Sequence, residues 1–408
     1  MLKLKRLRVE RFRSLVKGTE LSFSDGINIV LGQNGTGKTT LLKLISMVVR
    51  SDFSSLAKEE FAIEYELSDT SNKGIIVVVQ NERTTTARAS KPLSTRESFH
   101  PSAQVLERDD RRQLLYFDAE RGLSVEGAPP HGVVGVPAPV ERGFLFWYIA
   151  QLPKQEFPLF RDIAKAGNAY RIDESLDLFR AITSNESPVG DILIGQQLMW
   201  QANLFAPPLI SDEMLRKLEV WHQPTKPDYT FKNTDLTVID TIKNIMGFHA
   251  ADLRVDVAEK RDPATLQLGN FTFRFWWQDD TFITHEQLSY GQKRLLFFFY
   301  YLACNTDVVI ADELVNGLHH RWIATSVEAI GPRQAFLTSQ NPLLLDYIPI
   351  TSTDEVRRSF VLCRSAPREG PPGWIWENMS EGDAQELYNA YEVGVEHVSE
   401  ILQSRGLW

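Results

Sequence analysis

Apolar positions along this chain follow two different periods. Leu2, Leu4, Leu7 and Val9 are interleaved with basic residues, which predicts a strand over Leu2 to Phe12 with a solvated basic face. Glu20 to Phe23 reads as a short partner strand. Asp25-Gly26 then turns into Ile27 to Leu31, whose unbroken apolar run predicts a buried strand. Leu41, Leu42, Leu44, Ile45 and Val48 follow at helical spacing and predict a helix from Lys38 to Val49. Phe61 to Leu67 and Gly74 to Gln80 predict two antiparallel strands. Asn81 to Glu97, rich in Thr, Ser and Arg, reads as a solvated loop. Gln113 to Gly122 predicts a core strand ending in charged residues. Gly122 to Val140 is dense in Pro and Gly and reads as a long irregular loop.

From Arg142 to about Met246 the helical period dominates. Helices are expected at Phe144 to Leu152, Pro158 to Ala166, Glu174 to Thr183, Gly190 to Gln201 and Ser211 to Trp221. Strand-like alternation returns at Leu253 to Glu259, Leu266 to Trp277 and Thr281 to Thr284. Phe271, Phe273, Phe275 and Trp277 share one face, a stripe better suited to sheet packing than to stacking bases. Leu295 to Leu302 is a long apolar helix, and Val308 to Ala311 a buried strand. Arg321 to Ile330 is a helix, and a further strand starts at Ala335. Pro342 opens a helical turn at Leu343 to Asp346. Ala366 to Gly373 reads as a turn and Ala384 to Gln403 as terminal helices. No internal repeat is evident. The expected division is 1–141, a helical insertion at 142–250, and 251–408.

Composition changes this picture little. The 408 residues are 43% hydrophobic and 24% charged, ordinary for a globular protein. No apolar run approaches a membrane span, and the basic N-terminus lacks the apolar block of a signal peptide. Cys304 and Cys363 have no metal-ligand spacing and read as buried thiols in a reducing cytoplasm. The net charge of −9 argues against coating nucleic acid by bulk charge, while leaving room for a local basic groove.

The candidate chemistry is more specific. Gly32-Gln33-Asn34-Gly35-Thr36-Gly37-Lys38-Thr39-Thr40 fits the phosphate-binding pattern G-x-x-x-x-G-K-[ST], with a strand before it and a helix after it. Glycines let successive N–H groups converge on phosphate oxygens, and the helix N-terminus adds positive charge there. Lys38 would reach the β- and γ-phosphates, and the Thr39 hydroxyl would sit on Mg²⁺. Further on, Leu288-Ser289-Tyr290-Gly291-Gln292-Lys293-Arg294 precedes the apolar helix. Ser289 suits its N-cap, and its hydroxyl and the Gly291 N–H would also suit an oxyanion. The strand Val308 to Ala311 delivers Asp312 and Glu313. Such paired carboxylates imply a nearby cation, with Asp312 on Mg²⁺ and Glu313 polarising the attacking water.

In this order, GQNGTGKTT, LSYGQKR, VVIADE, NGLHH and LTSQNPLLLD resemble an ABC-type ATPase head, closer to the RecF, SMC and OLD-like branch than to transporter subunits. The resemblance covers roughly residues 1–50 and 285–365. It implies an α/β P-loop head: a mixed core sheet flanked by helices, an antiparallel β subdomain, and here a helical insertion. It also implies ATP and Mg²⁺ as cofactors. Two protomers of that family meet head to tail, so that Ser289, Gly291 and Gln292 of one would complete the other's nucleotide site. Phe12-Arg13-Ser14-Leu15 resembles the family's N-terminal element, which makes Arg13 a candidate nucleotide contact. Either Gln80 or the segment Tyr116 to Arg121 would supply the glutamine-loop contact. Gln340 stands where the family has a γ-phosphate histidine. An amide donates a hydrogen bond but carries no proton or charge, which implies slow hydrolysis.

The resemblance therefore implies a cytoplasmic, oligomerising ATPase switch. Few residues follow Asp346, too few for the C-terminal nuclease of OLD-like proteins, so an effector would be a separate nuclease or toxin chain. That arrangement is similar to the ATPase components of anti-phage systems such as PARIS, Septu and retron-associated ATPases. The alternatives are a RecF-like DNA repair clamp, which would bind nucleic acid, and an ATP-dependent scaffold with little turnover. The helical insertion is the expected recognition surface.

Overall fold

The computed structural model describes residues 1–87, 95–126, 136–152, 159, 162–163, 169–183, 189–193, 210–220, 228–259, 265–339, 341, 343–366, 373–393 and 397–404. Its first part runs β1 (Lys3–Phe12), β2 (Thr19–Ser22), β3 (Ile27–Leu31), α1 (Lys38–Arg50), β4 (Phe61–Ser68), β5 (Gly74–Ala87), β6 (Thr95–Glu107), β7 (Gln113–Asp118) and β8 (Gly122–Val125). All but β3 and α1 join one antiparallel sheet in the order β2-β1-β4-β5-β6-β7-β8.

Two sequence expectations fail in this sheet. The stretch read as a loop at 81–97 is largely strand: β5 and β6 pair in unbroken register from Ile75 opposite Glu107 to Ala87 opposite Thr95. Polar composition suggests solvent, yet Thr84 is β-branched and exposed, which suits the wet face of a pleated sheet. Residues 88–94 of that expected loop lie outside the described residues. The irregular loop expected at 122–140 likewise begins with β8, which pairs with β7 through Leu115 opposite Val125.

The middle of the chain runs α2 (Phe144–Ile149), α3 (Ile172–Thr183), β9 (Val189–Leu193), α4 (Asp212–Val220), β10 (Asp228–Lys232), α5 (Thr237–Met246), β11 (Ala250–Glu259), β12 (Thr265–Trp276) and β13 (Phe282–Thr284). The expected insertion is thus helical only in part. The helix expected at 190–201 begins as strand β9, because Ile192 and Leu193 pair with Leu266 and Thr265 of β12. Residues 194–201 lie outside the described residues, as does most of the helix expected at 158–166. A second antiparallel sheet follows the order β10-β11-β12-β13, with β9 also on β12. Its aromatic stripe packs inward as expected: Phe271, Phe273 and Phe275 are buried, and only Trp277 is exposed.

The last part runs α6 (Tyr290–Cys304), β14 (Val308–Ala311), α7 (His320–Ile330), β15 (Gln334–Leu337), α8 (Leu343–Asp346), α9 (Thr353–Ser359), β16 (Phe360–Ser365), β17 (Trp374–Asn378), α10 (Glu381–Val393) and α11 (Val398–Ser404). Here the two ends of the chain interlock. The central sheet has the order β14-β15-β3-β16-β17, so β3 from the beginning lies between strands from the end. Its neighbours are parallel, and only β17 runs antiparallel, to β16.

Alternation along these strands makes two cores. Val30, Val308, Ile310, Phe336 and Val361 face α1 and the first antiparallel sheet. Ile29, Leu31, Val309, Leu337 and Leu362 face α6, α7 and the second. Helix α6 is buried from Leu295 through Leu302, as an all-round apolar helix must be. Gln334, fully buried, ties the first strand to this sheet: it accepts from the Leu4 N–H at 2.8 Å and donates to the Leu4 and Ser24 carbonyls at 2.8 and 2.7 Å. The fold is mixed α/β: a mainly parallel central sheet with helices and an antiparallel sheet packed on each of its faces. No helix among the described residues is long and apolar enough to cross a membrane.

Candidate functional site

Strand β3 ends at Leu31 in the middle of the central sheet, and Gly32 to Gly37 form the turn that leads into α1. Two glycines are needed for distinct reasons. Gly32 has a φ of 142°, and a side chain there would overlap the Cys363 carbonyl of neighbouring β16. Gly37 caps α1 with a φ of 89°, in left-handed space. The first turn of α1 carries no acidic residue, so its N–H dipoles face the loop unopposed. Lys38 Nζ donates to the Gly32 and Gln33 carbonyls at 2.6 and 3.0 Å, and Thr36 Oγ1 donates to Gln33 O at 2.7 Å. Lysine and loop are thus mutually held at the place a phosphate would enter. Asn34 and Thr40 belong to the same turn and first helical residues.

Strand β14 lies two strands away and ends at Ala311. Asp312 and Glu313 therefore emerge at the same edge of the sheet as the loop. Thr39 Oγ1 donates to Asp312 Oδ2 at 2.7 Å. Thr338, at the end of β15, donates to Asp312 Oδ1 and accepts from the Glu313 N–H at 2.9 Å. Glu313 has a φ of 52°, a left-handed conformation that costs of order 1–3 kcal/mol and persists only where neighbours fix it. Three neighbours do so. Thr338 holds its N–H, Arg294 of α6 donates to its carbonyl, and Asn316 Nδ2 donates to its Oε2 at 2.6 Å. Asp312 and Thr39 together offer a hard-oxygen donor set that fits Mg²⁺, a cation that takes few protein ligands and keeps phosphates and waters for the rest.

Ser289 caps α6. Its hydroxyl accepts from the Gln292 N–H at 3.4 Å, and Gln292 Oε1 accepts from the Ser289 N–H at 2.9 Å. Gly291 packs against the Gly317 carbonyl and the Trp322 ring, and Tyr290 beside it is 68% exposed. Among the described residues no hydrogen bond joins this helix end to the Gly32–Thr40 loop. Within one chain the structure thus brings Lys38, Thr39, Asp312 and Glu313 together, and among the described residues no hydrogen bond joins Ser289, Gly291 or Gln292 to any of them, although Arg294 of the same helix reaches the Glu313 carbonyl.

Other expected contacts are also elsewhere. Arg13 makes a two-pronged pair with Glu59, Nε and Nη2 each at 2.8 Å, which raises the arginine's pKa and holds the glutamate below its usual range. Gln80 sits inside the first antiparallel sheet, opposite Ala62 and Ser102. The Tyr116–Arg121 segment closes on itself, with the Glu120 and Arg121 N–H groups on Asp118 Oδ1. Gln340 lies outside the described residues. Cys363 is buried and Cys304 half-buried, and burial pushes the Cys363 thiol up to about 12 although nearby Lys38 pulls it down.

Several residues around the site gave no signal in sequence. Thr338 and Asn316 fell inside quoted motifs without a role, and Arg294 read only as the end of one. Trp374 and Trp376 of β17 went unread, yet Trp374 Nε1 donates to the Gly35 carbonyl at 3.1 Å. An aromatic–x–aromatic run after a Pro/Gly turn is the only sequence trace they leave.

Two family models match parts of this chain. Residues 6–121 match the family model described as "AAA domain". Residues 148–346 match the one described as "AAA domain, putative AbiEii toxin, Type IV TA system". Among solved structures, the Smc head bound to the C-winged helix domain of ScpA is similar at 14% identity, over 93% of this chain and 99% of that one, with a TM-score of 0.39. The SMC head domain from Thermotoga maritima is similar at 10% identity over 93% and 99%, with a TM-score of 0.36. The recombination mediator RecF of the RecFOR pathway is similar at 12% identity over 93% and 98%, with a TM-score of 0.38. Each match covers less than half of the chain; the first includes the Gly32–Thr40 loop and the second includes Asp312 and Glu313.

Proposed function

We propose that this chain is an ABC-type ATPase that oligomerises around ATP and Mg²⁺ and, as a slow switch, controls a separate effector in antiviral defence. The observation that carries the reading is the chain of contacts Thr39–Asp312–Thr338–Glu313, set beside Lys38 and its loop. Lys38 and the α1 N-terminus bind the phosphates. Thr39 and Asp312 hold Mg²⁺, which when bound neutralises charge on the β- and γ-phosphates. Glu313 orients the attacking water. Among the described residues Ser289, Gly291 and Gln292 make no hydrogen bond to the loop of their own chain, which supports a site completed by a second copy, head to tail. Gln340, lacking the charge of a histidine, supports slow turnover. The toxin–antitoxin wording of the second family description supports a paired system in which one chain governs another. The lobes 1–141 and 251–408 would form the head, with 142–250 as the surface for the effector.

A DNA-repair clamp has less support. The basic face of the first sheet is largely neutralised: Arg6 pairs with Glu64, Arg8 with Glu10, Arg11 with Glu60 and Arg112 with Glu107. Phosphate binding there would have to displace these carboxylates. The scaffold reading is weaker still, because a scaffold needs no glutamate fixed by three neighbours.

The test is Glu313→Gln. With ATP and Mg²⁺ the variant accumulates a higher-mass assembly, which the parent forms only transiently. Mass spectrometry of what co-purifies then identifies the partner. A nuclease or toxin fits the defence reading, and DNA alone fits the clamp. Hydrolysis at the parent rate removes Glu313 from its role.

A further inference from the structure

The phosphate loop has an outer side as well as an inner one, and two tryptophans occupy it. Trp374 and Trp376 are two apart on edge strand β17, so both point to one face of the sheet. Their rings are nearly parallel, 7° apart with centroids 6.2 Å from each other. Both abut Gly37. A Cβ on that glycine would lie 3.0 Å from Trp374 Cδ2 and 3.1 Å from Trp376 Nε1. Trp374 Nε1 donates to the Gly35 carbonyl at 3.1 Å. Trp376 is 2% exposed, and its Nε1 has no hydrogen-bond partner among the described residues.

A buried N–H without an acceptor is costly, so this one gains from any carbonyl that turns towards it. The phosphate loop supplies one. When its N–H groups converge on a phosphate, the carbonyls of the same peptides turn outward. Trp374 already holds one such carbonyl, that of Gly35, and the Trp376 N–H lies beside Gly37. At present Lys38 Nζ holds the Gly32 and Gln33 carbonyls, and a phosphate would draw the lysine away from them.

We propose that Trp374 and Trp376 brace the phosphate loop from behind, holding its outward carbonyls by two indole N–H groups and so setting nucleotide affinity. They are positioning residues: they touch the loop, and the loop touches the ligand. The brace also reaches the N-terminal element, since the Trp374 backbone pairs with Ser14 and Val16 at 3.0 Å each. The loop is common to nucleoside di- and triphosphates, so the brace acts on ADP and ATP alike. Gly37 is required on this account because any side chain would separate loop from indoles.

This inference rests on the reading of Gly32–Thr40 as a nucleotide site, and its test separates the two. ATP and ADP affinities and tryptophan emission are measured for the full chain and for Trp374→Phe and Trp376→Phe, which keep an aromatic ring and remove the N–H. Trp277→Phe, on an exposed tryptophan far from the loop in sequence, is the control. Each brace variant loses about fivefold in affinity for both nucleotides, the size expected for one hydrogen bond. Turnover at saturating ATP falls by less. Emission of the parent shifts on nucleotide binding, and the shift shrinks in each brace variant but not in the control. The emission shift of the parent needs no variant to fold. Parent-like affinities in both variants, or a parent emission that ignores nucleotide, overturn the brace. A parent that binds neither nucleotide overturns the phosphate-loop reading instead.

Discussion

Thr39 Oγ1 and Asp312 Oδ2 lie 2.7 Å apart although 273 positions separate them in the chain. The contact exists because β3 and β14 end at the same edge of one sheet, with β15 between them. It joins the two groups proposed to hold Mg²⁺, one from the phosphate loop's helix and one from the end of the strand that delivers Glu313, the proposed catalytic carboxylate.

Asp312→Asn keeps the hydrogen bond from Thr39 but removes the charge that a divalent cation needs. The expected result is ATP binding that survives without Mg²⁺ and loses most of its Mg²⁺ dependence, with at least about a tenfold rise in the Mg²⁺ needed for turnover. A magnesium titration of binding and hydrolysis checks this. An unchanged titration removes Asp312 as a ligand.

Thr338→Val has a different signature. Valine fills the same volume but gives Asp312 no donor and Glu313 no acceptor. Leaving a buried N–H unpaired costs roughly 1–3 kcal/mol, so chemical denaturation should show a loss in that range. Turnover should fall too, because Glu313 loses one of three restraints on its left-handed backbone. Stability and turnover both at parent level would show that Thr338 is not needed to hold Glu313 in place.

Gln340→His introduces the ring that the resemblance to ABC-type heads implies at this position. If the missing histidine limits the rate, steady-state phosphate release rises and nucleotide affinity stays close to the parent's. An unchanged rate places the slow step elsewhere, in the assembly or its release.

What the sequence disclosed and what it hid have separate causes. The strand–turn–helix around Gly32–Thr40 and the strand end at Asp312 and Glu313 were legible because each is set by consecutive residues. Strand β3 and helix α1 were legible because their apolar periods are unambiguous. The β5–β6 hairpin was hidden by its Thr and Arg content, which looks the same in a loop and on the wet face of a sheet. Strand β9 was hidden because five residues are too few to show a period, and only pairing with β12 makes them a strand. Thr338, Arg294, Trp374 and Trp376 were hidden for a third reason. Each acts by touching a residue far away in sequence, and that adjacency is a property of the sheet order.

The central claim is that one chain's loop is completed by another chain's Ser289 turn. Mixing two inactive variants tests it most directly. Lys38→Ala lacks a working loop but keeps Ser289, and Ser289→Arg keeps the loop but blocks the turn. Head-to-tail pairing of the two leaves one intact site in each mixed dimer, so ATPase activity should return to about a quarter of the parent's at equal mixing, given two equivalent sites in a twofold dimer. A mixture as inactive as its components would contradict a shared site. So would a Ser289→Arg chain that hydrolyses ATP unaided.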